Sequence, residues 1–191
     1  MEPQLCAAVK ADLGRREALT QIYELQLAIN DIQHTVDHLG EWMKDQYTDV
    51  PLFIGPAKQK ITPEPLGVVL IMGSWNFPIF TTILPLIPVI AAGNTCVVKP
   101  SELSPHSSRA IKQLFARYLD GPSYVCIEGG VQVAIELTSK PFDYIVFTGG
   151  SEKGKLVAAA AAKNLVPCML ELGGKSPCIV DTSANLDYAA Q

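Results

Sequence analysis

The sequence predicts an α/β fold: a doubly wound parallel sheet, preceded by an amino-terminal helix and a protruding hairpin. Uncharged apolar runs such as Gly67–Met72 are typical of parallel strands that are buried on both faces. Helical segments separate these runs, and glycine-rich or polar turns follow them. Strands that alternate with helices in this order form βαβ units, which build a parallel sheet.

The amino-terminal third of the chain differs from the rest. Apolar residues recur at three- and four-residue spacings over Glu17–Lys44, which predicts a helix. Residues 45–65 are polar and rich in proline, with β-prone pieces at Leu52–Ile54 and Gln59–Thr62, as in a hairpin or linker. We therefore divide the chain into a helical region (1–44), a hairpin or linker (45–65) and a main domain (66–191).

Strands and helices then alternate along the main domain. The predicted strands are Gly67–Met72, Thr95–Val98, Tyr124–Ile127, Phe142–Thr148, Pro167–Leu172 and Pro177–Val180. The predicted helices are an apolar one that ends at Gly93, one that Ser104 and Pro105 begin and that runs to about Leu119, and the helices Val131–Thr138 and Lys153–Lys163. The charge-free stretch Phe77–Ala92 is shorter than the ~20 residues that a membrane-spanning helix needs. It also contains three prolines, so it fits a buried core helix.

Composition excludes several classes of function. Apolar residues make up 48% of the chain and charged residues 18%, which is typical of a globular protein. The net charge of −4 gives no electrostatic reason to bind nucleic acid or an anionic membrane. Five cysteines are scattered without CxxC spacing or a secretory leader, which predicts reduced thiols in a cytoplasmic protein. The pair His34 and His38 alone would make a poor metal site, and we expect no metal.

The turn after the fourth predicted strand is the first candidate binding site. Gly149, Gly150 and Gly154 stand where this strand passes into a helix. Such a turn lets backbone N–H groups approach a phosphate, and the helix end adds a positive dipole; the alternative is a plain connecting turn. The same segment differs from a P-loop motif at one position. Residues 149–155 match the GxxxxGK pattern, with Lys155 as its lysine. Leu156, however, stands where that motif needs a hydroxyl to bind Mg²⁺.

Three further motifs follow or lie within predicted strands. The turn after the first strand carries Asn76, which is either a turn residue or an amide donor to a developing oxyanion. Lys99 and Glu102 are either an exposed ion pair of little energetic value or a pair that binds ribose hydroxyls. Glu171 lies in an apolar strand, where burial would raise its pKa and suit a general base; an ion pair with Lys175 is the alternative.

All these motifs would line one edge of the sheet, because each lies at the end of a predicted strand. Their order and sequence resemble one family closely, the aldehyde dehydrogenases. The matching segments are Glu64–Pro78, Ala92–Asn94, Lys99–Glu102, Phe147–Gly149 and Leu170–Lys175. The resemblance covers nearly the whole chain. Trp42–Lys44 and Glu64–Gly67 are most similar to the class 3 branch, which takes medium and long aliphatic or aromatic aldehydes with NAD or NADP.

The resemblance implies a role for each matching residue. Asn76 would be the oxyanion-hole amide and Glu171 the general base, while Lys99 and Glu102 would bind the ribose. The other implied cofactor contacts are Trp75 against the cofactor, Gly149, Gly150 and Gly154 facing the pyrophosphate, and Leu172 and Gly173 near the nicotinamide. The family usually has Ser or Asn where this chain has Gly150, so we expect backbone contacts alone there. Residues 66–191 would then be an NAD(P)-binding domain, and the 45–65 hairpin would take part in the contacts of a homodimer.

The resemblance also implies a reaction that these residues do not complete. In the family a catalytic cysteine follows the Glu171 motif by a few dozen residues, after a Gly-Gln pair, and the sequence ends at Gln191 without one. That thiolate would attack the aldehyde to give a thiohemiacetal, hydride would pass to NAD(P)⁺, and water activated by Glu171 would release the acid from the acyl thioester. We therefore expect an amino-terminal fragment that lacks the catalytic domain and is inactive alone; a membrane tail, where the family has one, would lie beyond it. A P-loop nucleotide hydrolase and a non-catalytic binding module are the alternatives.

Overall fold

The computed structural model describes residues 1–190. Its helices are α1 (Glu2–Leu13), α2 (Glu17–Thr20), α3 (Leu27–Trp42), α4 (Phe80–Ala91), α5 (Pro105–Tyr118), α6 (Val131–Thr138), α7 (Ser151–Lys163) and α8 (Leu186–Ala189). A π-helical turn, Gln21–Gln26, joins α2 to α3 without a break. The strands are β1 (Gln46–Thr48), β2 (Gln59–Ile61), β3 (Val68–Met72), β4 (Thr95–Lys99), β5 (Tyr124–Cys126), β6 (Tyr144–Gly149) and β7 (Cys168–Leu172). The predicted α/β class is confirmed.

Five parallel strands form the main sheet in the order β5-β4-β3-β6-β7. The chain starts with β3 in the centre, adds β4 and β5 on one side, and then returns to add β6 and β7 on the other. This is the predicted doubly wound arrangement, and its switch point lies between β3 and β6. In register, Met72 of β3 lies opposite Lys99 of β4 and Phe147 of β6. The carboxyl ends of these strands therefore meet at one edge of the sheet.

Both faces of β3 are buried, which explains its uninterrupted apolar sequence. Side chains alternate across a strand, so Val69 and Ile71 join a cluster with α4 and α5, whereas Leu70 and Met72 join a second cluster with α7. None of the four side chains is more than 4% exposed. Each buried aliphatic side chain contributes ~1.5–3 kcal/mol to folding. Because the side chains of β3 pack on both faces of the sheet, this strand joins the two helical layers of the domain.

The helices of the amino-terminal region pack directly on the main domain. Leu5 and Val9 of α1 share a buried cluster with Ile79, which precedes α4, and with Ala110 of α5. The prediction of a helix over Glu17–Lys44 is confirmed. Several apolar side chains on the outer side of this helix stay exposed; they are Ile22, Tyr23, Ile29, Ile32, Val36 and Trp42.

The predicted hairpin is present, but one of its predicted β-prone pieces is not a strand. β1 pairs antiparallel with β2. The prediction at Leu52–Ile54 is wrong, because this tripeptide forms an exposed turn between the two strands. The strand predicted at Pro177–Val180 is also wrong. That segment is exposed, and within residues 1–190 it has no strand beside it to pair with.

The charge-free stretch Phe77–Ala92 forms the core helix α4, as predicted, with Leu86 and Val89 buried. Across residues 1–190, no helix combines the length and the apolar character needed to cross a membrane.

Candidate functional site

A cleft of about 1310 Å³ opens at the carboxyl-terminal edge of the main sheet. It lies beside the switch point between β3 and β6, where open α/β sheets bind their ligands. Nearly all predicted site residues line it: Trp75, Asn76, Lys99, Glu102, Gly149, Gly150, Glu171, Leu172 and Gly173. Asn76 and Glu171, which the expected reaction needs at one substrate carbon, therefore face the same space.

The turn after β3 is held by hydroxyl groups. Ser74 Oγ donates to Asn76 Oδ1 at 2.7 Å, and the backbone N–H of Ser74 donates to Thr81 Oγ1 at 2.9 Å. Gly73 leaves no room for a side chain, because an added Cβ would lie 2.4 Å from the methyl group of Thr82. Within residues 1–190, Asn76 Nδ2 has no acceptor of its own, so this amide is available to donate to a ligand in the cleft.

Trp75 is tied to the segment that follows the next strand. Ser104 Oγ donates to the carbonyl oxygen of Trp75 at 2.8 Å, while the Trp75 residue is half-exposed at the cleft. Ser104 is the N-cap residue of α5 and Pro105 is its first residue, as predicted, but the Ser104 side chain makes no capping hydrogen bond because its hydroxyl donates to Trp75. Asp12 of α1 performs that role: its carboxylate accepts the backbone N–H of His106 at 3.1 Å and of Ser107 at 2.7 Å.

Lys99 and Glu102 form a partly buried ion pair, which removes the alternative of an exposed surface pair. Lys99 is 4% exposed, and its Nζ donates to Glu102 Oε2 and to the carbonyl oxygen of Pro100, both at 3.0 Å. Burial raises the pKa of Glu102, but hydrogen bonds from its own backbone N–H and from Lys99 outweigh it, so the pKa lies below the ordinary value. The pair thus offers an ionised acceptor beside a donor, a combination suited to hydroxyl groups.

Gly149 and Gly150 connect β6 to α7 and leave the start of this helix open. Gly150 is the N-cap residue, and a Cβ added there would touch nothing. A Cβ at Gly149 would lie 2.5 Å from the ring of Phe147. Gly154 differs from the prediction: it is buried against Leu172, where an added Cβ would lie 2.7 Å from a methyl group, and it does not line the cleft. We therefore assign Gly154 to close packing of α7 on β7.

Glu171 lies on the edge strand of the sheet. The prediction that this carboxylate is desolvated is wrong for residues 1–190, because β7 has no further strand on its outer side and Glu171 is exposed. The alternative ion pair with Lys175 is not formed among these residues either. In register, Glu171 lies opposite Thr148, and both line the cleft.

Comparison with known proteins decides the family. The model of the aldehyde dehydrogenase family matches residues 2–191. The chain belongs to this family. It is 42% identical over 190 residues to aldehyde dehydrogenase family 3 member A2 of Macaca fascicularis, covering 100% of this chain and 39% of that protein. The predicted resemblance to the class 3 branch is thereby confirmed.

Two solved structures show the same fold. The substrate-bound state of Staphylococcus aureus AldH aligns with a TM-score of 0.90 and 41% identity, covering 99% of this chain and 41% of that one. The aldehyde dehydrogenase of Mycobacterium tuberculosis, complexed with NAD⁺, aligns with a TM-score of 0.79 and 28% identity, covering 90% of this chain and 35% of that one. The chain spans about two fifths of the length of the curated relatives it matches.

Membership of the aldehyde dehydrogenase family removes the P-loop alternative, and the geometry agrees. Lys155 Nζ pairs with Glu152 Oε1 at 2.8 Å on the exposed side of α7. Lys155 does not line the cleft, although its neighbour Leu156 does. A P-loop lysine must reach the bound phosphates, and Lys155 is engaged at the surface instead.

Three of the five thiols in this aldehyde dehydrogenase chain, those of Cys6, Cys96 and Cys126, are buried packing groups, whereas Cys168 is half-buried and Cys178 is exposed. Burial raises the pKa of Cys96 and of Cys126 to about 12, so both remain protonated at neutral pH. Among the residues that line the cleft within 1–190 there is no cysteine. In the same part of the chain, no group of His, Cys, Asp or Glu is arranged to hold a metal ion.

Sequence reasoning missed four charged residues that this fold brings to the site or to the elements that hold it. Lys153 lines the cleft beside the glycine turn, and its place after that turn was a signal that could have found it. Asp12 caps α5, and Arg15 and Glu24 contact the turn after β3 and the start of α4. These three have no sequence signal, because each looks like an ordinary polar position in a helical region.

Proposed function

We propose that the protein containing this chain oxidises aldehydes to carboxylic acids with NAD or NADP, and that the main domain holds the cofactor. The observation that carries the proposal is the convergence of the strand-end motifs on one cleft at the switch point of the sheet. Membership of the aldehyde dehydrogenase family supports it. So does the likeness to the Mycobacterium tuberculosis enzyme that was solved with NAD⁺.

The cleft suits a dinucleotide. The start of α7 offers unpaired backbone N–H groups and a positive helix end to a pyrophosphate, and its N-cap residue Gly150 has open space beside it. Lys99 and Glu102 would bind ribose hydroxyls, one as donor and the other as acceptor. Trp75 would add apolar surface against the cofactor, and Leu172 and Gly173 would lie near its nicotinamide end. When bound, the cofactor supplies the acceptor for hydride.

Two residues of this chain would act on the substrate. Asn76 Nδ2 would donate to the aldehyde oxygen as negative charge develops there, and loss of one such donor costs ~3 kcal/mol of transition-state stabilisation. Glu171 would take a proton from the water that releases the acid. No Gly-Gln-x-Cys sequence occurs in residues 1–191. The thiol nucleophile that the family uses is therefore not among these residues, and we expect the 191-residue chain alone to show no NAD(P)-dependent oxidation of an aldehyde.

Cofactor binding by the complete protein that carries this chain tests the proposal. We expect Lys99→Met to weaken the binding of NAD by about 10-fold or more, because a charged hydrogen bond worth ~1.5–3 kcal/mol is lost. Titration calorimetry measures the dissociation constant. Lys155→Met is the matched control and should leave it unchanged. A loss confined to Lys155→Met would support the P-loop alternative, and absence of saturable NAD(P) binding would refute the proposal.

Three finer features belong to the same proposal. The likeness to class 3 enzymes favours medium or long aliphatic or aromatic aldehydes, which a panel of substrates would rank.

The 45–65 hairpin would take part in the contacts of a homodimer, and its exposed Tyr47 and Phe53 support this. Light scattering would give the mass of the assembly. Five free thiols support a cytoplasmic location, which cell fractionation would test.

A further inference from the structure

The turn that carries Asn76 needs support from outside itself. The side chain of Asn76 is exposed and accepts one hydrogen bond, from Ser74 within the same turn. An oxyanion donor works only in a fixed position, and a displacement of about 1 Å can slow a reaction ~10²-fold. The backbone of this turn must therefore be fixed by other elements.

Arg15 provides one such contact from the segment between α1 and α2. One guanidinium nitrogen, Nη2, donates to the backbone carbonyl oxygen of Asn76. The guanidinium group also lies over the ring of Phe77, 4.3 Å from its centroid. Its other nitrogen, Nη1, donates to the carboxylate of Glu24. Arg15 thus contacts two consecutive residues of the turn and is itself held by a third residue.

Glu24 fixes the other end of the same turn. It is fully buried in the π-helical turn Gln21–Gln26, and its Oε2 accepts the backbone N–H of Ile79 at 2.8 Å and of Phe80 at 3.1 Å. These are the first free N–H groups of α4, where a helix end favours negative charge. A π-helical turn is rare and is often found at a functional site. Here it places the carboxylate beneath the turn.

Stability alone is a weak reason for this arrangement. Burial raises the pKa of Glu24, although the N–H groups of Phe80 and Ile79 and the charge of Arg15 oppose the rise. Apolar residues of similar volume often replace a buried ion pair without loss of stability, so such a pair is a poor stabiliser by itself. An apolar pair, however, could not form hydrogen bonds with the carbonyl oxygen of Asn76 and with the N–H groups at the start of α4. It therefore could not fix the position of Asn76 relative to this helix.

We propose that Arg15 and Glu24 are positioning residues of the reaction, which act through the backbone of Asn76 to aim its side-chain amide at the substrate. This inference rests on the proposed function of Asn76. It assigns a functional role to the amino-terminal helices, which contribute no residue to the cleft itself.

The test is a double-mutant cycle in the complete protein that carries this chain. Arg15→Met is made alone and together with Asn76→Ala, and the first-turnover rate of NADH formation is measured. We expect Asn76→Ala to lower this rate by about 10²–10³-fold and Arg15→Met by about 10–10²-fold. In the Asn76→Ala background, Arg15→Met should have no further effect, because the amide that it aims is gone. The dissociation constant of NAD should stay unchanged in Arg15→Met.

Two milder variants keep the test informative if Arg15→Met does not fold. Arg15→Lys keeps the charge beside Glu24 but cannot contact two acceptors in one plane. Glu24→Gln keeps an acceptor for Ile79 and Phe80. Both should keep the melting temperature within a few degrees and still slow the first turnover. Arg117→Met is the matched control, since Arg117 also lies over an aromatic ring, that of Tyr118, but does not line the cleft. Its rate should equal that of the wild type.

Each result has one meaning. If Asn76→Ala lowers the rate and no Arg15 or Glu24 variant does, the positioning role is refuted and the proposed function stands. If Arg15→Met slows the Asn76→Ala enzyme as much as the wild type, Arg15 acts elsewhere and the inference fails. If Asn76→Ala itself leaves the rate unchanged, the proposed function of Asn76 fails, and this inference with it.

Discussion

At the scale of single residues, Gly67 at the start of β3 occupies a position that no other residue can take without strain. Its φ is +130°, and an added Cβ would lie 2.1 Å from Asp143 Oδ2. That oxygen is not free to move, because it accepts the backbone N–H of Val68 at 2.7 Å. We expect Gly67→Ala to lower the free energy of unfolding by about 1–3 kcal/mol. Thermal denaturation would show this as a drop of ~2–4 °C per kcal/mol.

Gly40→Ala is the matched control for this prediction. Gly40 lies within α3, has an ordinary helical backbone and would place its new Cβ in open space. Alanine there should stabilise the helix by about 0.5–1 kcal/mol. If Gly67→Ala raised the melting temperature or left it unchanged, the strain assigned to Gly67 would be refuted.

Residue types at strand ends were enough to predict most of the cleft. A buried strand followed by Asn76, or by Lys99 and Glu102, limits where these side chains can go, since parallel strands end at one edge. The exposure of Glu171 could not be predicted, because its strand is apolar and nothing in its sequence marks an edge of the sheet. Arg15 and Glu24 could not be predicted either, because their partners lie more than fifty residues away.

At the scale of elements, the hairpin depends on a polar contact between its two ends. Lys60 Nζ and Thr62 Oγ1 donate to the carboxylate of Asp45, both at 2.6 Å. Hydrogen bonds from Lys60 and Thr62 hold the pKa of Asp45 below its ordinary value near 3.8. Because the folded-state pKa is lowered, this contact stabilises the hairpin above about pH 3.8 and is lost as the pH falls through the lower folded-state value.

We therefore expect Asp45→Asn to lower the amide protection of β1 and β2 at pH 7. The difference from the wild type should shrink as the pH falls below 3.8 and through the lowered folded-state pKa, where the wild-type carboxylate also becomes neutral. Hydrogen exchange, corrected for its intrinsic pH dependence, measures this. Asp49→Asn removes the same charge from the same hairpin, but Asp49 makes no ion pair with Lys60 within residues 1–190. An equal loss of protection in both variants would refute the contact.

Element types followed from periodicity, and the errors have physical causes. Apolar runs separated by helical segments predicted every strand of the main sheet. The signal is strongest for the central strand β3, since a run that is buried on two faces has few other structures open to it. Leu52–Ile54 and Pro177–Val180 have β-prone sequences but no neighbouring strand to bond with inside residues 1–190. Strand formation depends on such partners more than helix formation does.

At the scale of the whole molecule, α1 is joined to α5 because a side chain of α1, that of Asp12, caps the amino-terminal end of α5. Asp12 satisfies two N–H groups of α5 that Ser104 leaves free. We expect Asp12→Ala to cost ~1 kcal/mol, the usual value of an N-cap, and to expose the Leu5 and Val9 surface to protease. Limited proteolysis and the melting temperature would measure both effects.

Asp37→Ala is the control for this prediction. Asp37 accepts a hydrogen bond from Gln33 at 2.8 Å on the exposed side of α3, where one such pair is worth only ~0.2–0.5 kcal/mol. Cleavage between α1 and α2 at the same rate in both variants would show that Asp12 does not hold these helices together. The sequence alone could not reveal this cap, because Asp12 and Ser107 are 95 positions apart.

The central place of β3 has a consequence for biosynthesis. As the ribosome releases the chain, β3 emerges before its neighbours, and β4 and β5 then add to one side of it. Its other side waits for β6, so the backbone groups along that side stay unpaired while more than seventy further residues are translated. During this interval the nascent polypeptide exposes an unpaired strand edge, which is a site prone to misassociation.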